Sequence, residues 1–144
     1  MATRVSTILR QKGHDIVTVR PNQTVLSVAK MLTINRIGAA PVIDDQGRLV
    51  GIISERDIVR ALAENGATVL TLPTELLMTR EVTTCSPEDV LVDLMGVMTN
   101  QRIRHLPVVV DQRLHGIVSI GDVVKQRLDE VQFEVEELRR YIWS

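Results

Sequence analysis

Two serine–aspartate pairs hold the residue types and spacing with which this chain can do chemistry. Ser54 and Asp57 close the stretch Gly51-Ile52-Ile53-Ser54-Glu55-Arg56-Asp57, and Ser119 and Asp122 close Gly116-Ile117-Val118-Ser119-Ile120-Gly121-Asp122. In each, an apolar run ends on a serine and an acid follows three residues later. That order predicts a strand running straight into a helix N-terminus. Unpaired backbone N–H groups and the helix dipole make such a junction a natural anion site. An acid near a helix start can also accept both hydroxyls of a ribose, as it does in dinucleotide folds. Ser-x-x-Asp equally fits a capping box, in which the two side chains only satisfy the helix's own first amides. Both readings stand on the residues alone. Two junctions on one chain predict two related nucleotide sites, or one cleft lined by both.

Other chemistries find less support. No nucleophile, base and orienting group fall together by spacing, so Asp57 and Asp122 read as ligand contacts rather than a general acid/base pair, and an enzyme is not expected. Cys85 is the only cysteine, which rules out an intramolecular disulfide and a cysteine-based metal cluster. It reads as a small core residue on a strand. His14 and His115 are single histidines without ligand spacing, so no metal is expected. The formal net charge is −1, and Phe133, Tyr141 and Trp143 all lie near the C-terminus. With neither a basic field nor an aromatic platform in the body of the chain, nucleic acid is not the expected partner. No apolar run approaches the ~18 residues of a membrane span, and no apolar signal region opens the sequence. A soluble cytoplasmic protein is the expectation.

The elements that must position the two junctions follow from periodicity. Residues 1–14 predict a short lead-in helix ending at Gly13. Ile16 to Val19 predicts a strand, stopped by Pro21. Thr24 can cap a helix whose Val25, Val28, Ala29 and Leu32 share one face. Ala40 to Ile43 and Leu49 to Ile53 predict a hairpin around Asp44-Asp45-Gln46-Gly47. Ser54 then opens a helix bearing Ile58, Val59 and Leu62. A shift of 66 residues brings the pattern back: Pro21 meets Pro87, Val25 meets Leu91, Ile37 meets Ile103 and Pro41 meets Pro107. Gly47 has no counterpart, and beyond it Gly51, Ser54 and Asp57 meet Gly116, Ser119 and Asp122. A duplicated β-α-β-β-α unit explains this with one single-residue gap. The fold class is therefore α/β, with repeats at residues 15–72 and 73–128. Each is small for an independent core, so the two should pack through their sheets. Residues 64–77 read as the linker.

Residues 129–144 extend the last helix. Leu128, Val131, Val135, Leu138 and Ile142 recur at spacings of three and four, an a/d stripe with charged flanks. It predicts self-association, as a homodimer or a larger assembly, the alternative being that the helix packs back onto its own domain.

The duplicated unit, Pro41-Val42, Leu106-Pro107-Val108 and the two Gly-h-h-Ser-x-x-Asp stretches together resemble a tandem pair of CBS domains, the module named after cystathionine beta-synthase. The resemblance covers roughly Asp15 to Leu128, and two correctly spaced copies make it specific. It implies two repeats packed through their sheets, with clefts that take adenosine-containing ligands: AMP, ADP, ATP, NAD or S-adenosylmethionine. It implies dimerisation into a flat disc. Backbone around Ile16 and Thr18 would then meet adenine in the first site, with Val82 and Thr84 as counterparts in the second. Asp57 and Asp122 would hold ribose, and Ser54 and Ser119 would touch phosphate. Arg104 and His105, ahead of a strand in repeat two, would reach phosphate in the first site; read alone they are solvated charges. Their counterparts Gly38 and Ala39 break the basic pattern, and Arg56 faces only Gly121 across the repeats, so positive charge should gather at the first site. Lys12 can reach phosphate or simply face solvent. The function implied is a stand-alone nucleotide-binding regulator of an unknown protein effector. The alternative is a structural, protein-interaction dimer with vestigial sites.

Overall fold

The structure is a computed structural model that describes residues 3–13 and 15–143; His14 lies outside the described residues. Among the described residues five α-helices and four strands occur in the order α1 (Val5–Lys12), α2 (Val25–Asn35), β1 (Ala39–Ile43), β2 (Leu49–Ser54), α3 (Glu55–Asn65), α4 (Leu91–Gln101), β3 (His105–Val110), β4 (Arg113–Ser119) and α5 (Ile120–Trp143). Each repeat is thus a helix, an antiparallel hairpin and a second helix. In both hairpins the register shifts near the turn, between Val42 and Ile43 and between Val108 and Val109.

The strand expected over Ile16 to Val19 is not a strand. Only Val19 bridges β1: its N–H donates to the Pro41 carbonyl at 3.0 Å and its carbonyl accepts from the Ile43 N–H at 3.0 Å. Cys85 does the same against Pro107 and Val109. A prolyl nitrogen has no hydrogen to donate, so Pro41 and Pro107 sit where only their carbonyls are needed. The remaining residues of the segment run past the hairpin edge without a ladder. Thr24 caps α2 as expected, accepting from the Ser27 N–H at 3.2 Å.

There are two cores, one per repeat. Val19, Val25, Val28, Leu32, Ala40, Val42, Ile53 and Ile58 fill the first. Cys85, Leu91, Leu94, Met98, Leu106, Val108, Val118 and Val123 fill the second. Each core borrows from outside its repeat. Val5, Ile8 and Leu9 of α1 are buried in the second core, at the far end of the sequence. Met78 is buried in the first.

Backbone bonds show that these borrowed pieces are equivalent. Leu91, Asp89 and Pro87 bond Thr3, Val5 and Ser6, while Val25, Gln23 and Pro21 bond Leu72, Thr74 and Glu75, all at 2.8–2.9 Å. The expected linker is therefore a packed arm made of two 3-10 turns, Gly66–Thr71 and Thr74–Leu76. Its Thr74 is fully buried and donates its hydroxyl to the Gln23 carbonyl at 2.7 Å.

The arms press on the motif glycines. A Cβ on Gly116 would lie 2.6 Å from Leu9 Cδ2, and one on Gly51 would lie 2.6 Å from Met78 Sδ and 3.0 Å from the Thr79 carbonyl oxygen. Both strands must lack a side chain at that point for the arm to lie flat. The repeats themselves meet at their hairpin ends, where Arg48 bridges Arg113, and the segment entering repeat two crosses β2, where Thr79 bridges Ile52. α5 continues about 36 Å, by its 24 residues at 1.5 Å each. Leu128, Leu138 and Ile142 on it are 58–69% exposed in the single chain.

Candidate functional site

Both Ser-x-x-Asp pairs form the capping box. The Ser54 N–H donates to Asp57 Oδ2 at 2.9 Å and the Asp57 N–H donates to Ser54 Oγ at 3.2 Å. The Ser119 N–H donates to Asp122 Oδ2 at 2.9 Å and the Asp122 N–H donates to Ser119 Oγ at 3.1 Å. The sequence folds this way because each serine ends a strand in extended geometry and its hydroxyl meets the third amide of the helix. Capping holds each carboxylate at the junction and leaves further lone pairs on it.

Around the first pair lies a cleft of about 490 Å³, within the roughly 300–1,000 Å³ of small-molecule pockets. Its floor is Ile52, Ser54, Glu55, Arg56, Asp57 and Val59 of repeat one. Its opposite wall is Thr79, Glu81, Val82 and Thr83 with Arg102 to His105, so both repeats build it. Gly38 and Ala39 complete the rim. The geometry joins Ser54, Arg56, Asp57, Val82, Arg104 and His105 in one place. It separates Ile16 and Thr18, expected beside Asp57, from that wall; Val82 takes the place given to them. The reason is the crossing of the chain: the segment before repeat two, not the one before repeat one, passes over β2 and bridges it at Thr79. Thr84 lines a different cavity of about 430 Å³ between the hairpin ends, with Arg48, Arg80 and Val109.

Charge in the cleft is mixed. Arg56, Arg102 and Arg104 face Glu55, Asp57 and Glu81, three cations against three carboxylates. Arg56 and Arg104 do line one cleft, but the excess of positive charge expected there is balanced by these acids. Arg102 escaped the sequence reading. It ends α4 in the left-handed conformation at φ 54°, as Arg36 ends α2 at φ 53°. That matching pair, 66 residues apart, is the signal that was available. The left-handed cap turns the chain sharply and brings Arg102 onto the rim.

His105 opens β3 as the partner of Ser119, while its ring faces the cleft of Ser54 and Asp57. A Cβ on Gly38 would lie 3.6 Å from His105 Cε1 and 3.4 Å from Glu55 Oε1, so the missing side chain makes room for both. Burial lowers the His105 pKa below its ordinary 6.5, and the Lys12 charge lowers it further, against the pull of Asp122 and Glu55. The ring is therefore neutral at neutral pH and can donate one hydrogen bond and accept another.

The second junction differs. Lys12 Nζ donates to Asp122 Oδ2 at 2.6 Å and to the Ile117 carbonyl at 2.9 Å. Burial pushes the Asp122 carboxyl up, but the hydrogen bond from Lys12, the Ser119 amide and the Lys12 charge hold it below its ordinary 3.8. None of the cavities of about 430, 490 and 370 Å³ includes Ser119 or Asp122 in its wall. Cys85 is buried, and burial followed by the Asp89 charge pushes its thiol up to about 12, which makes it a core residue and a poor nucleophile. Among the described residues no group of His, Cys, Asp and Glu is arranged to hold a metal ion, and no helix is long and apolar enough to cross a membrane.

These features recur in known proteins. A family model described as the CBS domain matches residues 5–64 and 74–129, the two repeats with the arm that opens each. The mitochondrial CBS domain-containing protein CBSX3 of Arabidopsis thaliana is 34% identical over 98% of this chain and 72% of its own length. The structure resembles that of the CBS-domain containing protein ATU1752 from Agrobacterium tumefaciens, with a TM-score of 0.84 and 44% identity over 88% of this chain and 95% of that one. It also resembles the CBS domain pair of protein MJ0100 in complex with 5′-methylthioadenosine and S-adenosyl-L-methionine, with a TM-score of 0.80 and 31% identity over 90% of this chain and 99% of that one. The chain thus belongs to the CBS-domain family, as a tandem pair of its repeats.

Proposed function

We propose that this protein is a regulatory module that binds an adenosine-containing ligand (AMP, ADP, ATP or NAD) in the cleft at Ser54 and Asp57, without catalysing a reaction. The observation that carries this is the shared wall. One cleft sets a capped carboxylate of repeat one opposite Val82, Arg104 and His105 of repeat two. The adenosine ligands of the MJ0100 domain pair support the class. In this reading Asp57 accepts the ribose hydroxyls, Val82 lies against the base, and Arg104 with Arg56 and Ser54 receives phosphate. Arg is suited to phosphate by its planar fork of donors.

Ligand in such a cleft ties the repeats together and favours one arrangement of the pair. A protein partner that prefers that arrangement feels a coupling of typically ~1–3 kcal/mol. The setting is cytoplasmic, where a lone unpaired thiol such as Cys85 stays reduced.

Calorimetry with AMP tests the reading. Asp57→Ala should cost about 1.5–3 kcal/mol of affinity, the value of charge-assisted hydrogen bonds lost. Stability is measured beside it, because the substitution also removes half of a capping box. A loss of stability with unchanged affinity would return the residue to capping alone.

The exposed stripe on α5 supports a homodimer. Val131 and Val135 are each 41% exposed, and Phe133 adds a further apolar side chain beside them. An a/d stripe is covered by a like helix from a second copy. Truncation after Leu128 should lower the mass seen by light scattering; an unchanged mass would assign the contact to other surfaces.

A further inference from the structure

Among the described residues, Lys12 is the one ion-pair partner that ties a residue of either Ser-x-x-Asp motif to a distant part of the chain. It is held there by construction. α1 is fixed in the second core by Val5, Ile8 and Leu9, each no more than 4% exposed. Leu9 fills the space that Gly116 leaves. One turn further on, at the helix end, Lys12 lies over Ile117 and Asp122. Its ammonium group lies 2.6 Å from Asp122 Oδ2, the oxygen that also accepts the Ser119 amide, and compensates the charge with which this carboxylate would accept a ribose hydroxyl.

The first repeat is built otherwise. Met78 fills the gap over Gly51 as Leu9 does over Gly116. From Met78 to Val82 the arm takes four steps, whereas from Leu9 to Ile16 it takes seven. Lys12 falls within the longer run, and the shorter run places Glu81, an acid, on the cleft wall near Asp57. Among the described residues no lysine or arginine forms an ion pair with Asp57.

We propose that Lys12 is an internal cation that masks the second carboxylate, so that the chain takes a nucleoside more tightly at Asp57 than at Asp122. This inference rests on the nucleotide reading of the first cleft. The mask is a specificity determinant: it makes two junctions of the same sequence pattern into one tighter and one weaker site. The pair is partly exposed, so its hold is modest, of the order of a fivefold difference in binding, the equivalent of about 1 kcal/mol.

The test is calorimetry with AMP on the full chain. Wild type should bind one AMP per chain tightly, and Asp57→Ala should weaken that event about tenfold to a hundredfold. Lys12→Met keeps the apolar stem against the protein and removes the ammonium group. It should tighten the second binding event at least fivefold and raise the count toward two, and adding Asp122→Asn should return it to one. Lys12→Gln, which still fills the space with a neutral donor, should fall between. One AMP in wild type with no gain in either Lys12 variant would overturn the mask and leave the first site standing. Two equal sites in wild type would overturn it too. No binding by any variant would end both readings.

Discussion

Asp57 and Asp122 sit in the same local structure and in opposite surroundings. Each is the third residue of a helix, capped by a serine three residues earlier, with the hydrogen bonds donated by the two amides matched in length to within 0.1 Å. One opens on a cleft of about 490 Å³ between the repeats. The other is bonded to a lysine from the first helix. A motif therefore fixes the backbone and the cap, while its availability to a ligand is set by which arm of the chain crosses above it. That arm is distant in sequence, and in the two repeats it differs in length and in charge.

The largest effect should come from the glycines under the arms. Gly51→Ala drives a methyl group into Met78 Sδ and toward the Thr79 carbonyl, and the latter is backbone tied to Ile52 by hydrogen bonds of 3.0 and 2.8 Å. It should destabilise by about 2–3 kcal/mol, toward the upper end for overpacking. Gly116→Ala meets only the end of the Leu9 side chain, which can turn aside, and should cost about 1 kcal/mol. Urea unfolding of both variants measures this difference. Equal losses would mean that the two arms yield alike.

A smaller effect should distinguish the carboxylates by pH. The Asp122 pKa is depressed in the folded state. Its pairing with Lys12 therefore stabilises the fold above the ordinary carboxylate value of 3.8 and loses that contribution as pH falls through the lower folded value. Lys12→Met should cost up to ~1 kcal/mol at neutral pH and progressively less in acid below about pH 4. A cost independent of pH would locate the role of Lys12 in packing rather than charge.

Much of this architecture was legible in the sequence, because the duplication let each half check the other. The helix stripes, hairpins, serine caps and α5 stripe follow from local periodicity and side-chain chemistry. Ile16 to Val19 read as a strand because its apolar alternation is real, yet a strand needs a partner along its length, and only Val19 has one. The crossing that put Val82 rather than Ile16 beside Asp57 was not legible. It depends on the path of the chain between repeats, which periodicity does not encode. The arms were hidden for the same reason. Val5, Ile8 and Leu9 announce an apolar face, and nothing local says that it packs 80 residues away. Glu55, Glu81 and Arg102 were missed because charged residues at helix ends and in turns look like solvated surface until the second repeat closes over them.

The most direct measurement is AMP titration calorimetry on wild type, Asp57→Ala and Asp122→Ala under one set of conditions. The account predicts one tight site per wild-type chain, a loss of about 1.5–3 kcal/mol of affinity in Asp57→Ala, and wild-type affinity in Asp122→Ala. Equal losses in both variants, or binding untouched by Asp57→Ala, would contradict it.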